Sequence, residues 1–332
     1  MGEIALTASR APRSMARPLI GMLALLAAVI AVAVAIGATH VSWRAFIDGD
    51  AIARAIILRI RLPRVIVGAL IGATLAVSGV TFQTLLRNPL ADPFILGVSG
   101  GAACGAAIAS AFGFARIPGL LPIIAFAGAI GATTAVFLLA RRRGRTDPTR
   151  LLLSGLVLNA LFSALILIVF ALAPDNNISA ALRWMIGTLA GSTWSDALML
   201  AILFTIATLA LIYIANDLRL LAFGEDDARA RGVDVERVKL IGFGAASIVT
   251  GAAVAVAGII GFIGLLVPHL IRLIWRLDFR FLLPLCALGG AVLIVASDLV
   301  SRVIIAPVEL PVGAFTALLG VPFFLSLLRR ER

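Results

Sequence analysis

One lysine, one tyrosine, two histidines and two cysteines are spread through 332 residues, and each scarcity closes a class of chemistry. The lysine, Lys239, follows Val238, so no G-x-x-x-x-G-K-[ST] phosphate loop exists and the chain cannot hydrolyse ATP in that manner. His40 and His269 have no sequence neighbours from which to build a metal shell or a nucleophilic triad. Cys104 and Cys286 lie in apolar stretches without the clustered spacing of a metal site or a disulfide scaffold, and read as small core residues. Asp226-Asp227 lacks the further carboxylate or histidine that would complete a cation site. No catalytic residue, metal or cofactor is expected. Charge is scarce too: 14% of residues are charged against 61% hydrophobic, with a mean hydropathy of +1.11. Such a chain is a polytopic membrane protein, with no length left for a soluble enzyme domain. The net charge of +11 falls in the connections between apolar runs, where topology rather than nucleic acid accounts for it.

What is there is a succession of apolar segments. Spans are expected from Leu19 to Ala38, Leu62 to Leu86, Phe94 to Phe114, Gly119 to Ala140, Leu151 to Leu172 and Asp196 to Ala215. The segment from Lys239 to Trp275 is nearly twice too long for one crossing, so it must fold back, near Gly258, Gly261 and Gly264. The last two spans run from Phe281 to Ile305 and from Val312 to Leu328. The fold class is therefore all-α polytopic, with about ten transmembrane helices and both termini on the cytoplasmic side. That orientation puts most of the 28 lysines and arginines inside. The exceptions are Arg44, Arg54, Arg59, Arg61, Arg64, Arg116, Arg183 and Arg302. The first five crowd into one outside loop, where they either snorkel at helix ends or meet an acidic partner.

The stretch from Arg61 to Gly105 organises the rest. Gly68, Gly72, Ala76 and Gly79 on its first helix, and Gly97, Gly101 and Gly105 on its second, are spaced for close helix contact in lipid. Between them the turn Arg87-Asn88-Pro89-Leu90-Ala91-Asp92-Pro93 forbids a continuous helix. The polar segment 216–239 reads as a short helix with Glu225, Asp226 and Asp227 in its first turn, Arg229 and Arg231 near its end and Gly232 as the stop. It is either a docking element or a solvated connector. Asp298 and Arg302, four residues apart, share one face of the ninth span as an ion pair.

Several of these stretches together resemble the membrane permeases of ABC importers for iron chelates (siderophores, haem) and vitamin B12. They are RLPR at 61–64, GATLAVSGVTFQTLLRNPLADPFILGVSGGA at 72–102, FGEDDARARGV at 223–233, GIIGFIGLLVPHLIR at 258–272 and SDLVSRVIIAPVELPVGAFTALLGVPFF at 297–324. The similarity runs from Arg59 to the C-terminus. It implies the type II importer permease fold, one transmembrane permease domain over 1–332 with a cytoplasmic tail at 1–17 and a coupling loop at 216–239, in a bacterial inner membrane. It also implies a second permease copy as homodimer partner, two cytoplasmic ABC ATPase subunits, a periplasmic substrate-binding protein, and an iron chelate or cobalamin as transported ligand.

Residue by residue, the resemblance assigns Gly224, Glu225, Asp226, Arg229 and Gly232 to contact with the ATPase. Arg61, Arg64 and Arg302 match arginines that pair with acidic residues on the binding protein, and Asn88 and Leu90 match positions that narrow the pathway at its cytoplasmic end. Thr146-Asp147-Pro148-Thr149, at the start of the fifth span, departs from the family's gating segment. The implied mechanism is alternating access driven by ATP on a separate subunit. A secondary transporter driven by an ion gradient is the rival reading, and a membrane scaffold or receptor a second. Against the first stand the few carboxylates within the spans.

Overall fold

The computed structural model describes residues 16–37, 39, 43–275 and 279–330; His40, named above, lies outside them, as do Arg10, Arg13, Arg276 and Arg332 among the basic residues expected inside. The chain is helical almost throughout. In order come α1 (Ala16–Ala35), α2 (Trp43–Ile47), α3 (Ala51–Ala55), a π turn (Ile56–Arg61) continuing directly into α4 (Leu62–Leu85), a 3-10 turn (Pro93–Leu96), α5 (Val98–Ala111) and α6 (Leu120–Ala140). A two-stranded hairpin, β1 (Arg141–Arg142) and β2 (Arg145–Thr146), leads to α7 (Pro148–Leu172), α8 (Asp175–Met185), α9 (Trp194–Tyr213), α10 (Ala215–Leu221) and α11 (Glu225–Ala230). Finally come α12 (Val235–Ala257), α13 (Ile263–Ile274), α14 (Phe279–Val303) and α15 (Val312–Arg330).

Among the described residues, seven helical stretches are long and apolar enough to cross a bilayer, and three shorter apolar helices, α5, α13 and α15, accompany them. Together they agree with about ten spans. The long segment after Lys239 does fold back: α12 ends at Gly258, whose φ is +74°, and α13 begins after Phe262 in a left-handed conformation.

α4 is the axis of the bundle, buried along nearly its whole length. Its glycines explain how. A Cβ on Gly72 would lie 2.1 Å from the Gly290 carbonyl oxygen of α14, and one on Gly79 would lie 2.1 Å from that of Gly264 on α13, so neither crossing admits even a methyl group. On the third side, Phe82 meets Phe243 of α12 edge-on with centroids 5.5 Å apart, and Ser78 Oγ donates to the Ala246 carbonyl at 3.1 Å. By contrast α7 and α9 turn large apolar side chains outward, Leu167, Ile168, Leu198 and Ile206 among them. Those faces belong to lipid or to another chain.

Three expectations shift. The second arm of the hairpin does not run as helix from Phe94. Asp92 caps a 3-10 turn, Gly97 takes φ +88°, and α5 has only 14 residues, about 21 Å. The outside loop with its arginines is largely helical, as α2, α3 and the π turn. Between the fifth and sixth spans stands an amphipathic helix, α8, with Arg183 on its exposed side.

Candidate functional site

Two charge clusters mark opposite ends of α4. At its N-terminal end Arg64 grips Asp298 of α14, with Nη2 2.9 Å from Oδ1 and Nε 3.1 Å from the same oxygen. Its Nη1 donates to Glu309 Oε2 at 2.8 Å. Arg302 takes the other Asp298 oxygen at 3.0 Å and donates to the Ala33 carbonyl of α1 at 3.2 Å. Arg61 bonds the Val34, Ala35 and Thr39 carbonyls, satisfying acceptors that the end of α1 leaves open. The cluster thus ties the same ends of α1, α4 and α14 together. Two guanidiniums, Arg64 and Arg302, meet two carboxylates, and Asp298, 2% exposed, is shared by both. The pair Asp298–Arg302 forms as its spacing suggested. The three arginines assigned to docking are 4% (Arg61), 8% (Arg64) and 2% (Arg302) exposed, with their donors engaged inside the chain. Arg44, Arg54 and Arg59 are the exposed ones of this region.

At the other end, α11 carries the residues assigned to coupling. Gly224 precedes it at φ +147° and Gly232 ends it at φ +83°, conformations that side-chain-bearing residues rarely take. Within it Arg229 bridges Glu225 at 2.8 Å and Asp226 at 3.1 Å. The helix is pinned by the one lysine: Lys239 Nζ, on α12 and 3% exposed, lies 2.8 Å from Glu225 and 3.3 Å from Glu236, and donates to the Thr146 carbonyl of β2. Glu236 accepts from the Thr146 backbone N–H at 2.8 Å. One buried ammonium therefore joins α11, α12 and the hairpin before α7. Asp147 caps α7 by accepting from Arg150 N–H at 2.8 Å, and Pro148 takes the first helical position, where its missing N–H costs nothing. So the stretch that departs from the family pattern is a well-formed helix start.

The turn between α4 and α5 lies at this same end. Leu90 is exposed, and its N–H donates to Asn88 Oδ1 at 2.9 Å, an Asx turn that fixes the pair. Asp92 is buried; desolvation pushes its carboxyl up to about 6, against the opposing effect of the hydrogen bond it accepts from Phe94 N–H at 2.8 Å. Cys104 and Cys286 are buried free thiols, and His269 packs edge-on against Phe323.

Residues 23–330 match the sequence profile of the FecCD transport family. The chain belongs to that family. It is 44% identical over 277 residues to the cobalamin import system permease protein BtuC of Halobacterium salinarum, covering 83% of this chain and 74% of the relative. It is 40% identical over 325 residues to the hemin transport system permease protein HmuU of Yersinia pestis, covering 95% and 96%. Its backbone matches a solved metal-chelate type ABC transporter in an inward-facing conformation with a TM-score of 0.85 at 31% identity, covering 95% of this chain and 99% of that one. As a FecCD permease the chain is a multi-pass inner-membrane transport subunit and not a catalyst.

Sequence reasoning missed Lys239, Glu236 and Thr146 as a unit, and Glu309 as a partner of Arg64. One signal was available. A single lysine in a chain that otherwise uses arginine marks a place where a compact ammonium fits and a planar fork does not.

Proposed function

We propose that the chain is the membrane-spanning half of an ATP-driven importer, a homodimer that passes an iron chelate or cobalamin between its two copies into the cytoplasm by alternating access. In this reading both termini and α11 face the cytoplasm, and α11 seats in a separate ABC ATPase through Gly224, Glu225, Asp226, Arg229 and Gly232. The observation that carries it is the Lys239 junction: a push on α11 reaches the start of α7 and the base of α12 through one buried ion cluster, with no flexible link between. Asn88, half-buried, and Leu90, exposed, stand at the same end and narrow the pathway there.

On the opposite face a binding protein docks. With Arg61, Arg64 and Arg302 held inside the chain, they serve docking from beneath, by fixing the helix ends, while Arg44, Arg54 and Arg59 present the charge that acidic residues on the partner would meet. Relatives named for hemin and cobalamin import support the cargo class.

The test is ATP hydrolysis and uptake by the permease reconstituted with its ATPase and its binding protein, loaded in turn with haem, ferric siderophores and cobalamin. Stimulated hydrolysis with uptake of one ligand is expected. Assembly with no ATPase, or uptake driven by an ion gradient without one, overturns the reading.

A further inference from the structure

Between α9 and α14, at the Lys239 end of the bundle, a groove of about 540 Å³ opens on the outer face of the molecule. Its walls are apolar: Phe204 and Ile212 from α9, Phe279, Leu283 and Ala287 from α14. Three polar features interrupt them. Arg280 stands at the mouth, exposed, and pairs with no carboxylate among the described residues. Thr208 lines the interior, its Oγ1 buried from solvent and without a hydrogen-bond partner among the described residues. Pro284 has no N–H, so the carbonyl of Arg280, four residues earlier in α14, lacks its helical donor.

In hydrocarbon a polar group is expected to be satisfied within the protein, because no water is there to do it. These groups are not. Along α14 the lining runs from Phe279 to Leu288, about 14 Å at 1.5 Å per residue, which is roughly half of a hydrocarbon core. The groove thus has the depth of one leaflet, the volume of a ligand site, a hydroxyl inside and, at its mouth, a guanidinium with no carboxylate partner among the described residues.

We propose that this groove is a binding site for one anionic phospholipid, its phosphate on Arg280, its glycerol-ester region within reach of Thr208 and an acyl chain along Leu283 and Ala287. The occupant follows from charge. Arg280 calls for an anion at the mouth, and the exposed side chains of α9 above it (Ile202, Ile206, Leu209) offer none, so a second copy packed through this surface would leave the cation buried and unpaired. An anionic headgroup supplies the phosphate while its tail fills the apolar walls. The site rests on the chain spanning a membrane and not on the coupling scheme, so lipid retention is read without ATP or cargo.

The experiment is native mass spectrometry of the full-length protein in detergent after equilibration with mixed micelles of phosphatidylglycerol and phosphatidylcholine in equal amounts. One phosphatidylglycerol retained per chain is expected, preferred about fivefold over phosphatidylcholine. Arg280→Gln should abolish the preference, Arg280→Lys should keep it, and Ala287→Trp should empty the groove while the protein stays monodisperse. Equal retention of the two lipids by the wild type, or unchanged retention in both Arg280→Gln and Ala287→Trp, overturns the proposal. Loss with Arg141→Gln and not with Arg280→Gln also overturns it, placing the lipid in the smaller groove between α6 and α12 that Arg141 lines. Disulfide formation between copies bearing Ala287→Cys would instead make this face a subunit interface.

Discussion

Asp92 shows how a single carboxyl sets a local balance at the turn between α4 and α5. Its folded value of about 6 lies above the 3.8 of an unperturbed carboxyl, so the folded chain holds the proton more tightly than the unfolded one. The stabilisation is complete below the unfolded value and is lost as pH rises through about 6. The difference is worth about 3 kcal/mol. Thermal unfolding in detergent between pH 4 and pH 7 should therefore show wild type losing stability relative to Asp92→Asn as pH rises, since the amide keeps an acceptor for Phe94 N–H and carries no charge. Parallel curves for the two proteins would refute the assignment. Residues of this kind are only partly legible in a sequence. Asn88-Pro89 and Asp92-Pro93 announce a turn, and Asp298 with Arg302 announces a pair, because each rests on spacing along one element. That Arg64 should close on Asp298 from 234 positions away, or Lys239 on Thr146, is set by which helices lie side by side, and no local pattern carries that.

Among the elements, small residues rather than large ones decide the packing. Bilayer hydrocarbon removes the usual advantage of burying leucine, so helices are held by close approach, and α4 achieves it where glycine faces glycine. Replacing Gly72 by Leu should destabilise the chain by about 3 kcal/mol or more, since the new side chain starts 2.1 Å from a backbone oxygen that cannot move alone. Gly21→Leu on α1, where nothing lies within 4 Å, is the matched control and should be nearly neutral. Unfolding of both variants in detergent reads the contrast, and comparable losses would sink the account. The four-residue glycine spacing made this contact visible in the sequence, as apolar run length did the spans. The π turn before α4, the helix α8 and the truncated α5 were not visible. Each is an irregularity stabilised by neighbours that arrive from elsewhere in the chain: Trp194 Nε1, for instance, donates to the Leu58 carbonyl within the π turn at 3.0 Å.

At the scale of the whole molecule, the two charge clusters divide the labour. The Arg64 cluster joins three helix ends with interlocked pairs and leaves little freedom; the Lys239 junction joins three elements through one ammonium, the simpler arrangement for transmitting a displacement. Lys239→Met removes the buried ammonium that Glu225 and Glu236 share, leaving both to the part-exposed Arg229, while the Thr146 carbonyl loses its donor. In the proposed importer this variant should still assemble with the ATPase, because the outer face of α11, with Asp226 fully exposed, is untouched. Uptake should nevertheless fall by about tenfold while hydrolysis continues, the signature of a lost coupling of roughly 1–2 kcal/mol. Arg229→Ala is the informative contrast. Its pairs are part-exposed, worth at most about 1 kcal/mol to stability, and lie on the surface assigned to the ATPase, so it should weaken assembly and lower hydrolysis and uptake together. If Lys239→Met transports at the wild-type rate, α11 does not act through the hairpin, and the path from nucleotide to gate must run through α10 and the end of α4 instead.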